Sequence, residues 1–264
     1  MTEKNRIVVV GARGVFGTHL VDALGDRYDL ATPARGAHDF RGAFAVACTA
    51  GPFQQLDRAL VREAVDAGAH WLDIADDARW FFDLVDDRAL DARAGERGVL
   101  VMPGLSTLPA LSCALAKRVM PTKHVDITLF IGNDNRKGAA AIASGATLET
   151  PDRELLRREL GIDATVATRF ELPGVRAIMR VLAMLPLRAR LRVARALSRL
   201  PLRFGTSGGS VEARTRDRVE RVRGEQNIAI LPLIFALEQI DALPRGVHPP
   251  TILDAEALLD FVAR

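Results

Sequence analysis

The chain has 264 residues, of which 48% are hydrophobic and 26% charged, and these proportions exclude an intrinsically disordered protein. Its 36 basic and 33 acidic side chains leave a net charge of +3, too small to indicate nucleic acid as a partner. Two cysteines, Cys48 and Cys113, lie far apart, which excludes a disulfide framework and a C-x-x-C zinc site. No stretch reaches the roughly 18 uninterrupted apolar residues of a membrane-spanning helix, and no apolar leader precedes the first strand, so we expect a cytoplasmic protein.

The first predicted elements are a buried strand, a glycine-rich turn and a helix. Ile7–Val10 is a β-branched run, and Gly11, Gly14 and Gly17 follow it with G-x-x-G-x-x-G spacing. In a dinucleotide-binding turn the first glycine permits a tight bend, the second lets a pyrophosphate approach, and the third lets helix and strand pack closely. The helix N-terminus then presents N–H groups to the phosphates. The context predicts dinucleotide binding; the alternative is a turn that only packs the helix on the strand.

Strands and helices alternate through the rest of the first half. Short apolar runs predict further strands over 28–33, 43–51, 70–75 and 98–104. Apolar residues at helical spacing predict helices over 56–68 and 82–96. This alternation is typical of an α/β fold with a Rossmann-type, doubly wound parallel sheet. The link from 35 to 43 is short for a crossover helix, so we expect an abbreviated connection there.

Ligands of such sheets bind outside the carboxyl ends of the strands, which locates the candidate residues. The predicted cofactor-binding residues follow the first three strands and are Gly11, Ala12, Arg13, Gly14, Val15, Phe16, Gly17, Arg35, Ala50, Gly51, Pro52 and Phe53. Asp76, Asp77 and the segment 103–107 follow the next two strands at the same edge. His70 begins its strand and lies at the opposite edge, so we predict a structural role for it.

The end of the second strand favours NADP(H). NAD-preferring domains place an Asp or Glu there, about 20 residues beyond the glycine turn, to bind the ribose hydroxyls. Here the strand ends near Pro33 and the next charged residue is Arg35, whose guanidinium suits a 2′-phosphate. Arg13, within the turn, stacks on the adenine or adds a second positive charge. Asp39 is the alternative determinant of cofactor choice. A longer second strand would bring its carboxylate to the ribose and favour NAD.

The second half begins with a predicted helix over 108–120 and a strand over 124–132. The glycine-rich segment that follows either contacts the substrate or forms a solvated turn, and the sequence leaves both open. Its candidate substrate contacts are Asn133, Asn135, Arg136, Lys137 and Ser144.

An arginine-rich segment over 174–203 is predicted to form two helices separated at Pro186. Four of its arginines share one helical face: Arg188, Arg192, Arg195 and Arg199. Such a face suits an anionic membrane surface, an oligomer interface, or a surface helix whose arginine stems cover apolar neighbours. The sequence favours the last two. The arginine-rich segment also lacks interleaved aromatic residues on which the bases of a single-stranded nucleic acid could stack.

Several segments resemble the saccharopine dehydrogenase-like oxidoreductases in order and spacing. They are GARGVFG, TAGPFQ, AVDAGAHWLDIADD and MPGLSTLPALSCALA in the first half, and ILPLIFALEQI with LPRGVHPP near the end. The resemblance implies an NAD(P)-binding domain over 1–110, an α+β substrate and dimerisation domain over 111–230, and C-terminal helices over 231–264 that pack on the first domain. Because relatives pair in this way, we also expect a homodimer through the second-domain sheet or the arginine-rich helices.

The chain departs from this family at two positions near the expected active site. Ser106 and Thr107 stand where the family commonly has an acid and a serine. Asp76 and Asp77 stand where it commonly has Gly-Glu. Cofactor binding is therefore better supported than any particular substrate.

The residue types present in the chain exclude several known catalytic motifs. Tyr28 is the only tyrosine, so the Tyr-x-x-x-Lys dyad of short-chain dehydrogenases is excluded. Metal-ligand spacing, a G-x-S-x-G elbow and a Walker lysine are also absent from the sequence. Hydride transfer requires mainly that cofactor and substrate be positioned, but reduction of C=O or C=N also needs a proton donor. The predicted donors are Asp77, Ser106 and Lys137.

The leading hypothesis is an NADP(H)-dependent oxidoreductase that acts on a small carbonyl, imine or enoyl substrate. The alternative is a non-catalytic NADP-binding protein whose nucleotide regulates an interaction with a protein or a membrane.

Overall fold

A computed structural model of the chain describes residues 4–132, 134, 149–171, 173–197 and 205–264. Within these residues the strands are β1 (Arg6–Val10), β2 (Asp29–Ala31), β3 (Ala45–Cys48), β4 (His70–Asp73), β5 (Leu100–Met102), β6 (His124–Ile131), β7 (Asp163–Phe170), β8 (Gly209–Arg214), β9 (Val219–Gly224) and β10 (Gly246–Val247). The helices are α1 (Val15–Leu24), α2 (Ala59–Asp66), α3 (Ala78–Val85), α4 (Arg88–Glu96), α5 (Ser112–Arg118), α6 (Asp152–Leu160), α7 (Pro173–Ala183), α8 (Leu187–Leu197), α9 (Leu231–Glu238) and α10 (Ala255–Val262).

The first sheet is parallel, and among the described residues its strand order is β10-β5-β4-β3-β1-β2. Strands β3 and β4 are buried along their whole length, and β1 along all but its first residue, as expected of strands covered on both faces. The chain adds β2 on one side of β1 and then returns to add β3, β4 and β5 on the other. The predicted doubly wound α/β fold is confirmed. Its topological switch point lies between β1 and β3.

Two details of the first half refine the predicted elements. The connection from β2 to β3 contains no helix, as expected from its length. The single helix predicted over 82–96 is instead two helices, α3 and α4. Asp87 separates them, because its carboxylate accepts a hydrogen bond from the Leu90 N–H at 3.0 Å and so begins a new helix.

The second sheet is mixed, with the order β7-β6-β8-β9. Strand β6 is parallel to β7, and β8 is antiparallel to both of its neighbours. One face is apolar and buried, including Ile127, Val211 and Ala213. The opposite face carries exposed polar side chains such as Asp126 and Arg214. This alternation is typical of a sheet with one face packed and one face solvated.

After the second sheet the chain returns to the first one. The backbone N–H of Gly246 donates to Val99 O at 2.9 Å, and β10 thereby extends the first sheet beside β5. Arg118 in α5 donates to Glu256 in α10 at 3.1 Å, which fastens the last helix to the connection between the sheets. Strand β10 is a feature that the sequence patterns did not predict. The predicted domain boundaries at 110 and 230 stay predictions.

His70 has the structural position that its place in the sequence predicts. Its Nδ1 accepts a hydrogen bond from the Leu100 N–H at 2.8 Å, and its ring lies 5.2 Å from that of Phe44. Burial, followed by the nearby charge of Arg245, lowers the pKa of His70 from 6.5 to about 4. The imidazole is therefore neutral at pH 7 and joins β4 to β5.

We expect His70→Leu to destabilise the fold at pH 7 by about 1–3 kcal/mol, since the buried Leu100 N–H loses its acceptor. This penalty should shrink as the pH falls from 6.5 to 4, because the unfolded wild-type chain then binds a proton that its folded state does not. At 1.36 kcal/mol per pKa unit the change between pH 7 and pH 4.5 amounts to about 2.4 kcal/mol, enough to cancel or reverse most of the penalty. Urea unfolding of both proteins at pH 7 and pH 4.5 measures it. A difference independent of pH would contradict the assignment.

Candidate cofactor and active site

Two of the three turn glycines are required by packing. A Cβ on Gly11, whose φ is +90°, would lie 2.6 Å from the backbone nitrogen of Ala50, and one on Gly17 would lie 2.1 Å from Gly11 O. Both distances are impossible for a side chain. Gly14 differs, because its nearest neighbour would be Gly11 O at 3.1 Å and the residue is exposed. The fold therefore explains Gly11 and Gly17, while Gly14 leaves an open surface in the turn.

Helix α1 begins at this open surface. Gly14 is its N-cap residue, with extended dihedral angles, and no side chain caps the helix. The first turn also contains no acidic residue, and the Thr18 hydroxyl donates to Gly14 O instead of accepting from an N–H. The first N–H groups of a helix need acceptors from outside it, and the positive end of its dipole favours an anion. The geometry suits a phosphate group.

The turn after β3 packs against the glycine turn at the switch point. The Thr49 N–H donates to Val10 O at 2.8 Å, which holds the ends of β3 and β1 together. The chain then passes through Gly51 and Pro52 to Phe53, whose ring lies 5.5 Å from that of Trp80. The structure thus brings together the residues predicted at 11–17 and at 50–53.

Strand β2 ends at Ala31, and Arg35 lies exposed in the turn that follows. Ala31 and the next residue, Thr32, offer no carboxylate for ribose hydroxyls. Asp39 lies eight positions beyond the strand, and its two oxygens accept from the Arg41 guanidinium at 3.0 and 2.9 Å. These hydrogen bonds lower the pKa of Asp39 to about 2. The rival acid is therefore already paired with an arginine.

Asp73, at the end of β4, organises the neighbouring loops and was missed by sequence reasoning. It is completely buried and accepts four hydrogen bonds. The donors are Trp71 Nε1 at 2.9 Å, Trp80 Nε1 at 3.0 Å, Ala75 N at 2.9 Å and Gly104 N at 3.1 Å. Burial raises the pKa of Asp73, while the four N–H groups oppose that shift. Asp73 thus holds together the loops after β4 and β5.

Asp77 has two partners within the protein. Its Oδ1 accepts from the Trp80 N–H at 2.9 Å and caps α3, and its Oδ2 accepts from Gln54 Nε2 at 2.7 Å. The carboxylate thereby links α3 to the turn after β3. Ser106, the second predicted donor, is buried just beyond β5. Lys137 and the predicted contacts Asn133, Asn135, Arg136 and Ser144 lie outside the described residues.

The charge of Asp152 acts on Asp76, which follows β4. Asp76 is partly buried, and Asp152 begins α6 and is completely buried. The backbone joins the two segments, since the Ala78 N–H donates to Glu149 O at 2.8 Å. Burial, together with the charges of Asp77 and Asp152, raises the pKa of Asp76 to about 7.

Asp152 itself has an unusual environment. The Ser112 hydroxyl donates to its Oδ1, and its Oδ2 has no hydrogen-bond partner among the described residues. Burial raises the pKa of Asp152 to about 6. Two carboxyl groups that can carry a proton near neutral pH thus interact beyond the end of β4. The sequence pointed to Asp76 through its position, but nothing in the local pattern pointed to Asp152.

A separate groove of about 1170 Å³ lies on the second sheet. Its lining is mixed and falls between residues 126 and 225, with polar side chains such as Asp126, Thr165 and Arg169 beside apolar ones such as Ile127 and Phe130. The groove therefore belongs to the second sheet and not to the glycine turn. In the part of the chain that the structure describes, no group of His, Cys, Asp and Glu side chains is arranged to hold a metal ion.

Solved structures match nearly the whole chain at low sequence identity. An amine dehydrogenase from Mycobacterium smegmatis is 9% identical, with a TM-score of 0.53, and the match covers 95% of this chain and 96% of that one. A dipicolinate-bound dihydrodipicolinate reductase from Paenisporosarcina sp. TG-14 is 11% identical, with a TM-score of 0.46 over 95% and 100% of the two chains. KijD10, a 3-ketoreductase from Actinomadura kijaniata in complex with NADP, is 11% identical, with a TM-score of 0.39 over 98% and 95%.

The likeness to the amine dehydrogenase extends to the fold alone. No protein-family model and no curated protein sequence matches the chain. The saccharopine dehydrogenase-like resemblance therefore stays a prediction.

Proposed function

We propose that the protein is an NADP(H)-dependent oxidoreductase of the saccharopine dehydrogenase-like type. The observation that carries the proposal is the open face of Gly14 beside the uncapped N-terminus of α1. Gly11 and Gly17 are accounted for by contacts below 3 Å within the fold, but no contact of that kind accounts for Gly14. The turn also lies at the switch point, where doubly wound sheets bind their ligands.

The proposed cofactor contacts follow from this position. Backbone N–H groups of 15–17 hold the pyrophosphate against the open face of Gly14, whose own N–H donates to Gly11 O at 2.8 Å. Residues 50–53 form the neighbouring wall of the cleft. Arg35 binds the 2′-phosphate, because its guanidinium is exposed just beyond β2 and no carboxylate takes that place. Arg13 is exposed in the turn itself and faces the adenosine half of the cofactor. Bound NADP(H) supplies the hydride.

We assign the proton transfer to Asp76. It lies at the ligand edge of the sheet, and the partners of Asp77 leave that neighbouring carboxylate in a positioning role. A carboxyl group whose pKa is raised to about 7 holds a proton at neutral pH and donates it readily. Asp152 keeps this proton in place, because a second negative charge nearby disfavours ionisation of Asp76.

The proposed substrate is a small carbonyl, imine or enoyl compound. Each of these accepts a hydride at carbon and a proton at the neighbouring atom, which is the chemistry that a cofactor and one carboxylic acid supply. A shared fold with an amine dehydrogenase is compatible with the imine class.

The proposal is tested by titrating the purified chain with NADPH and NADH and then following NADPH oxidation with panels of carbonyl, imine and enoyl compounds. We expect tighter binding of NADPH and turnover with one of these classes. Absence of nucleotide binding would refute the proposal. Binding of NADPH without turnover of any panel member would favour the nucleotide-regulated binding protein.

Arg35→Ala should weaken NADPH binding by about 1.5–3 kcal/mol, or about 10- to 150-fold, because a hydrogen bond to a charged group is lost. NADH affinity should barely change, since NADH lacks the 2′-phosphate. Arg97→Ala is the control: it removes another exposed arginine, located just before β5 at the opposite edge of the sheet, and leaves the Asp39–Arg41 pair intact. Calorimetry with both cofactors measures the effect. An equal loss for NADPH and NADH would give Arg35 a different role.

A further inference from the structure

Helices α7 and α8 expose apolar side chains that the described part of the fold does not cover. Ile178, Val181 and Met184 on and just beyond α7 are 55%, 64% and 85% exposed, while Leu182 between them is 5% exposed. Spacings of three residues place the exposed three on one side of the helix. Val193 on α8 is also exposed. Clustered exposed aliphatic side chains mark an interaction surface more often than a solvated one.

The same segment carries a concentrated positive charge. From Leu172 to Val211 the sequence has no Asp or Glu, but it has eight arginines: Arg176, Arg180, Arg188, Arg190, Arg192, Arg195, Arg199 and Arg203. The whole chain has 36 basic and 33 acidic residues, so outside this segment acidic residues outnumber basic ones by five. Among the eight, Arg180, Arg188, Arg192 and Arg195 are exposed on α7 and α8.

We propose that α7 and α8 dock on the surface of an anionic lipid bilayer. Exposed aliphatic residues beside arginines match the two attractions of an interfacial helix, burial of apolar side chains at the acyl boundary and attraction of cations to acidic headgroups. Each helix has 11 residues and is about 16 Å long, too short for a hydrocarbon core of about 30 Å. None of the described helices is long and apolar enough to cross a membrane, so the pair lies on the surface.

Charge disfavours a second copy of the chain as the occupant. A twofold interface places the same patch of each copy against the other, and here that would oppose two sets of arginines without an acidic residue in either segment. Nucleic acid is disfavoured as well, because Ile178, Val181 and Met184 provide no aromatic surface for base stacking. An anionic bilayer complements both the charge and the apolar side chains.

The test is co-sedimentation of the full chain with vesicles of phosphatidylcholine alone and of phosphatidylcholine with about one third phosphatidylglycerol. We expect at least tenfold stronger binding to the anionic vesicles, and a loss of that difference at high salt, since exposed charges are then screened. Equal binding to both vesicles, or binding to neither, would overturn the proposal.

Substitutions on α7 and α8 test whether these helices make the contact with the vesicle. Ile178→Ser with Met184→Ser, and separately Arg188→Gln with Arg192→Gln, should each weaken vesicle binding about tenfold or more, while Arg188→Lys with Arg192→Lys should retain it. Val219→Ser, at an exposed apolar residue on β9, is the matched control and should bind as the wild type does. Circular dichroism and thermal unfolding verify that each variant is folded, whether or not the chain binds NADPH. Vesicle binding that survives both double variants, or a dimer in light scattering that Met184→Ser dissociates, would refute the membrane assignment.

Discussion

Gly14→Val is expected to abolish NADPH binding and to leave the fold largely intact. The valine side chain would fill the surface on which the pyrophosphate rests, so we expect a loss of at least about 100-fold, equivalent to about 2.7 kcal/mol. The backbone at Gly14 is extended, with φ −74° and ψ 170°, and any residue adopts it. Replacing an N-cap glycine with valine costs about 1 kcal/mol of stability, and the turn must also shift slightly, since a Cβ at Gly14 would lie 3.1 Å from Gly11 O. Calorimetry and thermal unfolding measure the two effects separately.

Gly17→Ala is the matched control for the neighbouring glycine and should give the opposite result. Its Cβ would lie 2.1 Å from Gly11 O and 2.7 Å from Ala12 Cα, and backbone atoms cannot yield as a flexible side chain does. We expect about 3 kcal/mol or more of destabilisation, at the upper end of the cost of overpacking. Unchanged NADPH affinity in a folded Gly14→Val protein would show that this turn only packs the helix on the strand.

Asp76→Asn is expected to lower kcat for reduction by about 10²- to 10⁴-fold and to leave NADPH affinity unchanged, because the variant binds cofactor but cannot donate a proton. In the wild type the reduction rate should fall as the pH rises through about 7, since Asp76 then loses the proton that it donates. Oxidation of the product should show the reverse dependence. In Asp152→Asn the reduction rate should fall at a lower pH than in the wild type, because removing the charge of Asp152 lowers the pKa of Asp76.

Asp77→Asn makes the same charge change one residue away and serves as the control. An asparagine oxygen still accepts from the Trp80 N–H, so α3 keeps its cap, and we expect activity within about tenfold of the wild type. The fall in rate with rising pH should remain, since Asp76 is intact, but it should occur at lower pH, because the charge of Asp77 also raises the pKa of Asp76. A loss of this fall in Asp77→Asn together with its retention in Asp76→Asn would transfer the proton-donor role to Asp77.

Features of the site that depend on contiguous residues could be predicted from the sequence, and features that depend on distant residues could not. The glycine turn could be predicted because strand, turn and helix are contiguous, and the requirement for small residues is local. The distinction between Gly14 and its neighbouring glycines could not be predicted, since the close contact of Gly11 is made by Ala50, in the turn after β3. Asp77 could be placed at the ligand edge, but its partner Gln54 belongs to another loop.

The parallel α/β class, the glycine turn after β1 and the exclusion of a Tyr-x-x-x-Lys dyad follow from the sequence alone, because period, glycine spacing and composition belong to contiguous residues. Tertiary structure alone decided that the charge of Asp152 acts on Asp76, from 76 positions away, and that β10 completes the first sheet. It also decided that Ile178, Val181 and Met184 face outward, since periodicity identifies an apolar side of a helix but not whether anything covers it. Burial and long-range contact are properties of the packed chain, and only packing assigns them.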